Sequence, residues 1–311
     1  MAPADLVVEG THMETAPVSR RIVLKNILFL TDFSGPSTIA LPYAAMIARA
    51  YGAKVTALHV VAPSAYTYMA QEETANILDV LDDVAKDEMR RVEAGLAGLP
   101  RETMIERNVG VWPALSKILQ KGEIDLIVLG THGRTGMKKA VLGSTAEEVF
   151  RQTSVPVLTI GPAVRTDGHN GGRFQCVLFA TDFNSVSGAA ASYAVSLAQE
   201  NQSRLVLLHV LPAPKSGKGN KSVEHSVAEA LHRVGDLVPR DAELWCRPEP
   251  VVEHGQASGQ ILATAERCGA DLIVLGVRGV DTLTKLVTRV ERATAYDVIV
   301  HAPCPVLTVR G

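Results

Sequence analysis

The apolar residues of this chain fall in short runs separated by longer amphipathic stretches. Ile27 to Thr31, Val55 to Val61, Met104 to Val109, the run beginning at Leu126, and Val157 to Ile160 are brief, mostly β-branched or aliphatic, and bounded by turn residues. Such runs read as strands, and the near-continuous apolar ones read as strands covered on both faces. Between them the spacing changes. A helix is predicted from Pro36 or Thr38 to Tyr51, stopped by Gly52, with Pro42 near its first turns, where a missing N–H costs least. A long helix is predicted from about Gln71 to Leu96. In it Ile77, Leu81, Val84, Glu88 and Val92 keep roughly helical spacing, and four of these five are apolar. Pro113 to Gln120 is a short helix, and AEEVFRQT starts another with two carboxylates in its first turn.

The pattern then returns. Asn26-Ile-Leu-Phe-Leu-Thr-Asp-Phe-Ser34 reappears as Cys176-Val-Leu-Phe-Ala-Thr-Asp-Phe-Asn184, and Leu58-His-Val60 as Leu208-His-Val210. Asp125-Leu-Ile-Val-Leu-Gly130 reappears unchanged from Asp271 to Gly276, and Val155-Pro-Val-Leu-Thr-Ile160 as Cys304-Pro-Val-Leu-Thr-Val309. The matches keep their order with offsets of 146 to 150 residues, so one domain is written twice in the 311 residues. The expected division is a flexible leader over residues 1–20, a first domain over 21–161, a linker containing GHNGGR over 162–173, and a second domain over 174–311. Second-copy strands are predicted near Val177, Leu205, Ala242, Leu272 and Val306. Its helices are predicted near Ser187–Gln199, Ser222–Asp236, Gln256–Arg267 and Val290–Val300. Alternating strands and helices imply an α/β chain of two tandem doubly wound, Rossmann-like domains. Each is a five-stranded parallel sheet with helices on both faces and right-handed crossovers. Spacing does not give the strand order. Pro156–Ile160 and Pro305–Val309 each begin with proline, which is compatible with an edge strand and so with the surfaces on which the two copies would meet.

Composition narrows the function. The chain is 47% apolar and 21% charged with a net charge of −2, so bulk electrostatics attract no nucleic acid. Aromatics make up 5% of it, too few for a base-stacking surface. No apolar run approaches the ~20 residues of a membrane span. The first residues hold no charged-then-apolar signal, so a cytoplasmic location is expected. The four cysteines are scattered singly and read as reduced structural thiols. His225, Glu229 and His232 share one helix face, which a polar surface explains as well as a metal would.

The candidate chemistry sits in Gly130 to Thr145, GTHGRTGMKKAVLGST, between a predicted strand and a predicted helix start. Glycines let backbone approach a ligand closely and adopt positive φ, while a helix start supplies N–H groups and partial positive charge. Gly130, Gly133 and Gly143 are the backbone positions, Ser144 and Thr145 supply hydroxyls, and Arg134 and Lys138 supply charge. His132 has no nearby carboxylate in sequence to activate it, and Lys138 and Lys139 suit a solvated face equally well. The spacing is neither the Walker A pattern nor the dinucleotide fingerprint. It is Gly, two residues, Gly, nine residues, Gly-Ser.

With that spacing the chain resembles the universal stress protein family, whose ATP-binding members carry it. The resemblance runs from about Asn26 to Arg310. It implies strand order 3-2-1-4-5 and a ligand at the switch point between strands one and four. It implies ATP, with or without Mg²⁺, as the cofactor. Asp32 would lie beside the adenosine, and Val60 would offer backbone groups to the adenine. Gly130, Gly133, Gly143 and Ser144 would bracket ribose and phosphates. Thr145 is an added phosphate contact, and Arg134 completes the set. From sequence alone Asp32 is equally a turn or cap aspartate.

In the second copy Gly276 and Gly279 survive, but Arg289 and Val290 replace Gly143 and Ser144, and Asp281 adds a negative charge. Asp182 and Val210 are kept. Only the first domain is therefore expected to bind ATP, unless Arg289 itself reaches a phosphate. The expected function is an ATP-binding stress-response module with little or no catalysis. The competing readings are a slow ATPase or other nucleotide-dependent enzyme, and a scaffold in which nucleotide is structural. Pairing of two chains as a homodimer is compatible with all three.

Overall fold

Strict alternation along the first apolar run puts Ile27 and Phe29 on one side of a strand and Leu28 and Leu30 on the other. All four are buried, as a strand covered on both faces requires. The computed structural model describes residues 21–62, 71–131, 142–164, 172–184, 186–214, 220–239, 246, 248–278 and 287–310, without the side chains of 71–78, 220–222 and 287–292. The first half runs β1 (Asn26–Leu30), α1 (Gly35–Tyr51), β2 (Lys54–Val61), α2 (Gln71–Gly95), β3 (Arg101–Arg107), α3 (Val111–Leu119), β4 (Leu126–Gly130), α4 (Ser144–Gln152) and β5 (Val157–Ile160). The second runs β6 (Cys176–Thr181), α5 (Ser187–Asn201), β7 (Arg204–Leu211), α6 (Asn220–Gly235), β8 (Pro248–His254), α7 (Ala257–Cys268), β9 (Leu272–Val277), α8 (Val287–His301) and β10 (Val306–Arg310).

The strands form one ten-stranded sheet in the order β3-β2-β1-β4-β5-β10-β9-β6-β7-β8. Each half keeps the order 3-2-1-4-5 with parallel neighbours. The halves join where β5 meets β10 antiparallel, Leu158 opposite Leu307. These are the two proline-led edges singled out from the sequence. The seam is closed on both sides by threonines: Thr159 donates its hydroxyl to the Val306 carbonyl at 3.0 Å, and Thr308 donates to that of Val157 at 3.3 Å. Two apolar clusters run along the sheet, one under α1, α2, α5 and α6, the other under α3, α4, α7 and α8. Each contains residues of both halves, so hydrophobic burial favours the halves docked.

The repeated aspartate has a structural task. The Asp125 carboxylate accepts the N–H groups of Lys25 and Asn26 at 2.7 and 2.9 Å, and Asp271 accepts those of Gln175 and Cys176 at 2.7 and 3.0 Å. Each pins the start of one central strand to its neighbour. Helix α1 opens with the Ser34 hydroxyl accepting the Ser37 N–H at 3.4 Å and closes on Gly52 at φ 66. Because it starts at Gly35, Pro42 lies inside the helix rather than in its first turn, on the exposed side.

Two strands depart from expectation, and both are edges. β3 starts at Arg101, not Met104, and ends at Arg107. Its sequence RETMIER is half-exposed and lacks an apolar run. The third strand of the second half is β8, Pro248 to His254, rather than a segment near Ala242, which lies outside the described residues. PEPVVEH reads as a loop because of its prolines. Two prolines spaced by two residues, however, put both missing N–H groups on the same side of the strand, which an edge tolerates.

Candidate functional site

β1 and β4 are neighbours, and the chain leaves their carboxyl ends in opposite directions, to α1 on one face and to α4 on the other. A crevice must open at such a reversal. Here it has a volume of about 270 Å³ and brings together Asp32, Val60, Gly130, Gly143, Ser144 and Thr145. Gly133 and Arg134, like His132, Lys138 and Lys139, lie outside the described residues.

The β1 side is a tightly bonded turn. The Phe33 N–H donates to the Thr31 hydroxyl oxygen at 3.0 Å and Phe33 sits at φ 62, a left-handed conformation that side chains rarely adopt. Asp32 Oδ1 accepts the Ser34 N–H at 3.0 Å and the Ser34 hydroxyl at 2.6 Å. Asp32 therefore holds the turn and lines the crevice at once. The Thr31 and Ser37 hydroxyls are 3.1 Å apart. His59 donates from Nδ1 to the Thr31 carbonyl at 2.8 Å, and its ring lies 4.3 Å from that of Phe33. The carbonyl can only accept, so a neutral His59 presents Nε2 as its lone-pair nitrogen. Thr31, Ser37 and His59 also line the crevice. The repeated Leu-His-Val segment was the available signal for His59, and the repeated Thr-Asp-Phe segment that for Thr31.

The α4 side is bare of side-chain caps. Gly143 is the N-cap at φ −63 and ψ 150, and its own N–H donates to the Thr131 carbonyl at 2.8 Å. The first bond within the helix runs from the Glu147 N–H to the Gly143 carbonyl at 2.8 Å. The N–H groups of Ser144, Thr145 and Ala146 thus have no acceptor within α4, and all three residues line the crevice. Only Glu147 falls in the first turn, because the helix begins at Ser144. The second half braces this element. The Tyr296 hydroxyl, on α8, accepts the Leu142 N–H at 3.0 Å, and Arg310 donates to the Arg151 carbonyl at 3.3 Å.

The glycines work differently from expectation. Neither Gly130 nor Gly143 has positive φ. A Cβ on Gly130 would stand 2.9 Å from the Pro36 carbonyl carbon and oxygen and 3.1 Å from the Ser37 nitrogen. Gly130 is thus required by the close approach of β4 to the first turn of α1.

The second half repeats the strand side of this site. Its cavity, about 220 Å³, is lined by Thr181, Asp182, Ser187, Val210 and Gly276. Phe183 stands at φ 60, and His209 donates from Nδ1 to the Thr181 carbonyl at 2.8 Å. The Phe183 ring centroid lies 4.3 Å from that of His209, and the Arg233 guanidinium carbon stands over the Phe183 ring at 4.1 Å from its centroid. On the helix side, the described lining residues are Ala257 and Ile261 of α7 and Thr294 and Ala295 of α8. Arg289 and Val290 fall in the first turn of α8, their side chains outside the described residues, as are Gly279 and Asp281.

A larger cavity of about 550 Å³ lies between the halves, against α1 and the residues leading into β9 and β10. It sits at the amino ends of those strands, and its described lining residues include no first turn of a helix. One of its carboxylates, Asp271, is already committed to two backbone N–H groups. The helix-bearing crevices are the better candidates for an anionic ligand. His232 lies 3.7 Å from the Asp236 carboxylate on α6. No helix among the described residues is long and apolar enough to cross a membrane.

Comparison with known proteins gives concordant results. A family profile described as the universal stress protein family matches residues 24–161 and again 173–310. A universal stress protein of Mycolicibacterium smegmatis is 26% identical over 303 residues, covering 92% of this chain and 97% of the relative. Universal stress protein MJ0531 of Methanocaldococcus jannaschii is 31% identical over 139 residues, covering 44% of this chain and 81% of that protein. Among solved structures, a universal stress protein from Archaeoglobus fulgidus superposes with a TM-score of 0.65 at 22% identity, covering 92% of this chain and 98% of that one.

Proposed function

The chain belongs to the universal stress protein family in both of its halves, and from that premise we propose that it is a nucleotide-binding module of the stress response whose first half takes ATP. Asp32, Val60, Gly130, Gly143, Ser144 and Thr145 form the site, with Gly133 and Arg134 added from the intervening sequence. The observation that carries this reading is the uncapped N-terminus of α4 opening on the strand-end crevice. Its N–H groups and dipole suit a phosphate chain. Each charge-assisted bond there contributes about 1.5–3 kcal/mol. Val60 on its side offers backbone groups to the base, and Asp32 faces the sugar. Mg²⁺ would arrive with the triphosphate oxygens as ligands. The binding role is placed ahead of catalysis because Asp32, the one carboxylate among the described lining residues of the crevice, is already engaged by the Ser34 N–H and hydroxyl.

Denaturing freshly purified protein and quantifying the released adenine nucleotide tests this. The expected result is one nucleotide per chain, and added Mg-ATP raising stability by about 2.7 kcal/mol at a hundred times its dissociation constant. No released nucleotide, together with no binding of added Mg-ATP, refutes the proposal. Two per chain refutes the restriction to the first half.

Tyr296→Phe offers a finer check. It removes the acceptor of the Leu142 N–H just before the N-cap while keeping the ring. Losing one neutral hydrogen bond costs about 0.5–1.5 kcal/mol, so ATP affinity measured by calorimetry should fall roughly 3- to 10-fold. Unchanged affinity would mean that the second half does not position the α4 terminus.

A further inference from the structure

The second half carries a thiol pair that the first half lacks. Cys176 opens β6 and Cys268 ends α7. Asp271 brings them together. Its N–H donates to the Cys176 carbonyl at 3.0 Å, its carboxylate accepts the Cys176 N–H at 3.0 Å, and the turn through Gly269 at φ 65 returns the end of α7 over the start of β6. The two thiols face one another closely enough to influence each other's ionisation, and the Cys268 thiol also reaches the Ala265 carbonyl at 3.8 Å. Their access differs: Cys176 is 3% exposed, whereas Cys268 is half-buried. Positive charge is fixed beside them. The Arg204 guanidinium donates to the Cys268 carbonyl at 3.3 Å and is held by Glu249 through two bonds of 2.9 and 3.1 Å. At the matching place in the first half stands Asn26, whose side-chain oxygen accepts the Thr56 hydroxyl at 2.9 Å.

We propose that Cys268 and Cys176 are a peroxide-reactive pair, Cys268 taking the oxidation and Cys176 resolving it to a disulfide. The Cys268 thiolate attacks one oxygen of hydrogen peroxide. The S–O bond forms as the O–O bond breaks, and the departing hydroxide takes a proton to become water. The Cys176 sulfur then attacks the sulfenic acid, the S–S bond forms, the S–O bond breaks, and hydroxide leaves with the Cys176 proton as a second water. Two thiols lose two electrons and one peroxide gains them. An accessible thiolate next to a buried partner is the arrangement such sites use. The electrostatics agree. The Cys176 side chain is the largest influence on the Cys268 thiol and holds it below the usual cysteine value, with the Ala270 N–H and Arg204 assisting against burial. The same interaction and burial push Cys176 up. Cys246 and Cys304 do not compete: both are buried, and burial raises Cys246 to about 11.

The full-length protein treated with hydrogen peroxide and mapped by peptide mass spectrometry should contain a Cys176–Cys268 disulfide, with Cys246 and Cys304 still thiols. Cys176→Ser should stop at a sulfenic acid on Cys268 that dimedone traps. Alkylation of Cys268 in the wild-type protein should be half-maximal at a pH below the ~8.5 of a free cysteine. Below its midpoint the rate should fall about tenfold per pH unit, and Cys176→Ser should move the midpoint up toward ~8.5. The wild-type alkylation profile needs no variant to fold. A wild-type midpoint at or above that of a free cysteine, peroxide leaving both thiols intact, or disulfides confined to other cysteines would each overturn the proposal.

Discussion

Gly143→Asp is expected to abolish ATP binding by the first half while leaving the nucleotide-free protein as stable as before or slightly more so. Gly143 is the N-cap of α4 and has the extended φ and ψ that aspartate adopts readily at that position. A carboxylate there accepts the N–H groups of the first turn and faces the positive end of the helix dipole, a gain of a few tenths of a kcal/mol over glycine. It also occupies the place proposed for phosphate with a charge of the same sign. Two lost charge-assisted bonds amount to about 3–6 kcal/mol, or at least a hundredfold in affinity. Calorimetric titration with Mg-ATP beside a melting curve without nucleotide separates these effects. Retained affinity would show that phosphate does not use the α4 terminus. Lost affinity accompanied by a collapsed melting temperature would instead show that Gly143 serves the fold.

The second large effect is on stability. Gly130→Ala should destabilise the protein by about 1–3 kcal/mol, the usual cost of forcing extra atoms into packed structure. The clash is with backbone, at 2.9 Å from Pro36, so no side-chain rotation relieves it. Either β4 or the first turn of α1 must shift, and Ser37, which lines the crevice, moves with that turn. Gly276→Ala is the matched control. At that place the nearest atoms to an added Cβ are the Ala190 Cβ at 3.5 Å and the Val186 carbonyl carbon at 3.6 Å, an ordinary contact. Its effect should stay within about 0.5 kcal/mol. Urea unfolding of both variants decides the matter, and equal costs would refute the steric account.

This pair also marks what the sequence could convey. The repeat and the buried strands were legible because duplicated segments and continuous apolar runs are local signals, and a proline at the start of β5 and of β10 was compatible with the edges that form the seam. The strand order came with the family resemblance, since spacing cannot express which strands lie side by side. β3 and β8 were misplaced because edge strands lose the apolar run on which strand recognition depends, and β8 adds prolines at 248 and 250. At the site, Asp32, Val60, Gly130, Gly143, Ser144 and Thr145 were named and do share one crevice. The reason for Gly130 was not legible, because it lies in the distance to α1. Thr31, Ser37 and His59 passed as ordinary core or turn residues. Tyr296 and the Cys176–Cys268 pair were invisible for a simpler reason: each acts across a contact between segments far apart in the chain.

The antiparallel join of β5 and β10 has a consequence for how the molecule can change over time. In an assembly of two identical subunits every substitution appears twice, so a loop cannot be spoiled in one place and kept in the other. Here both partners are encoded in tandem, and each half mutates independently. The second loop is free to lose Gly143 and Ser144 equivalents, and its half free to acquire Cys176 and Cys268, without disturbing the first. Because the partners share one chain, they also meet at a ratio fixed by translation and at a local concentration that dilution cannot lower. A pair carried on one chain can stay permanently unequal, which is the condition two halves need in order to specialise.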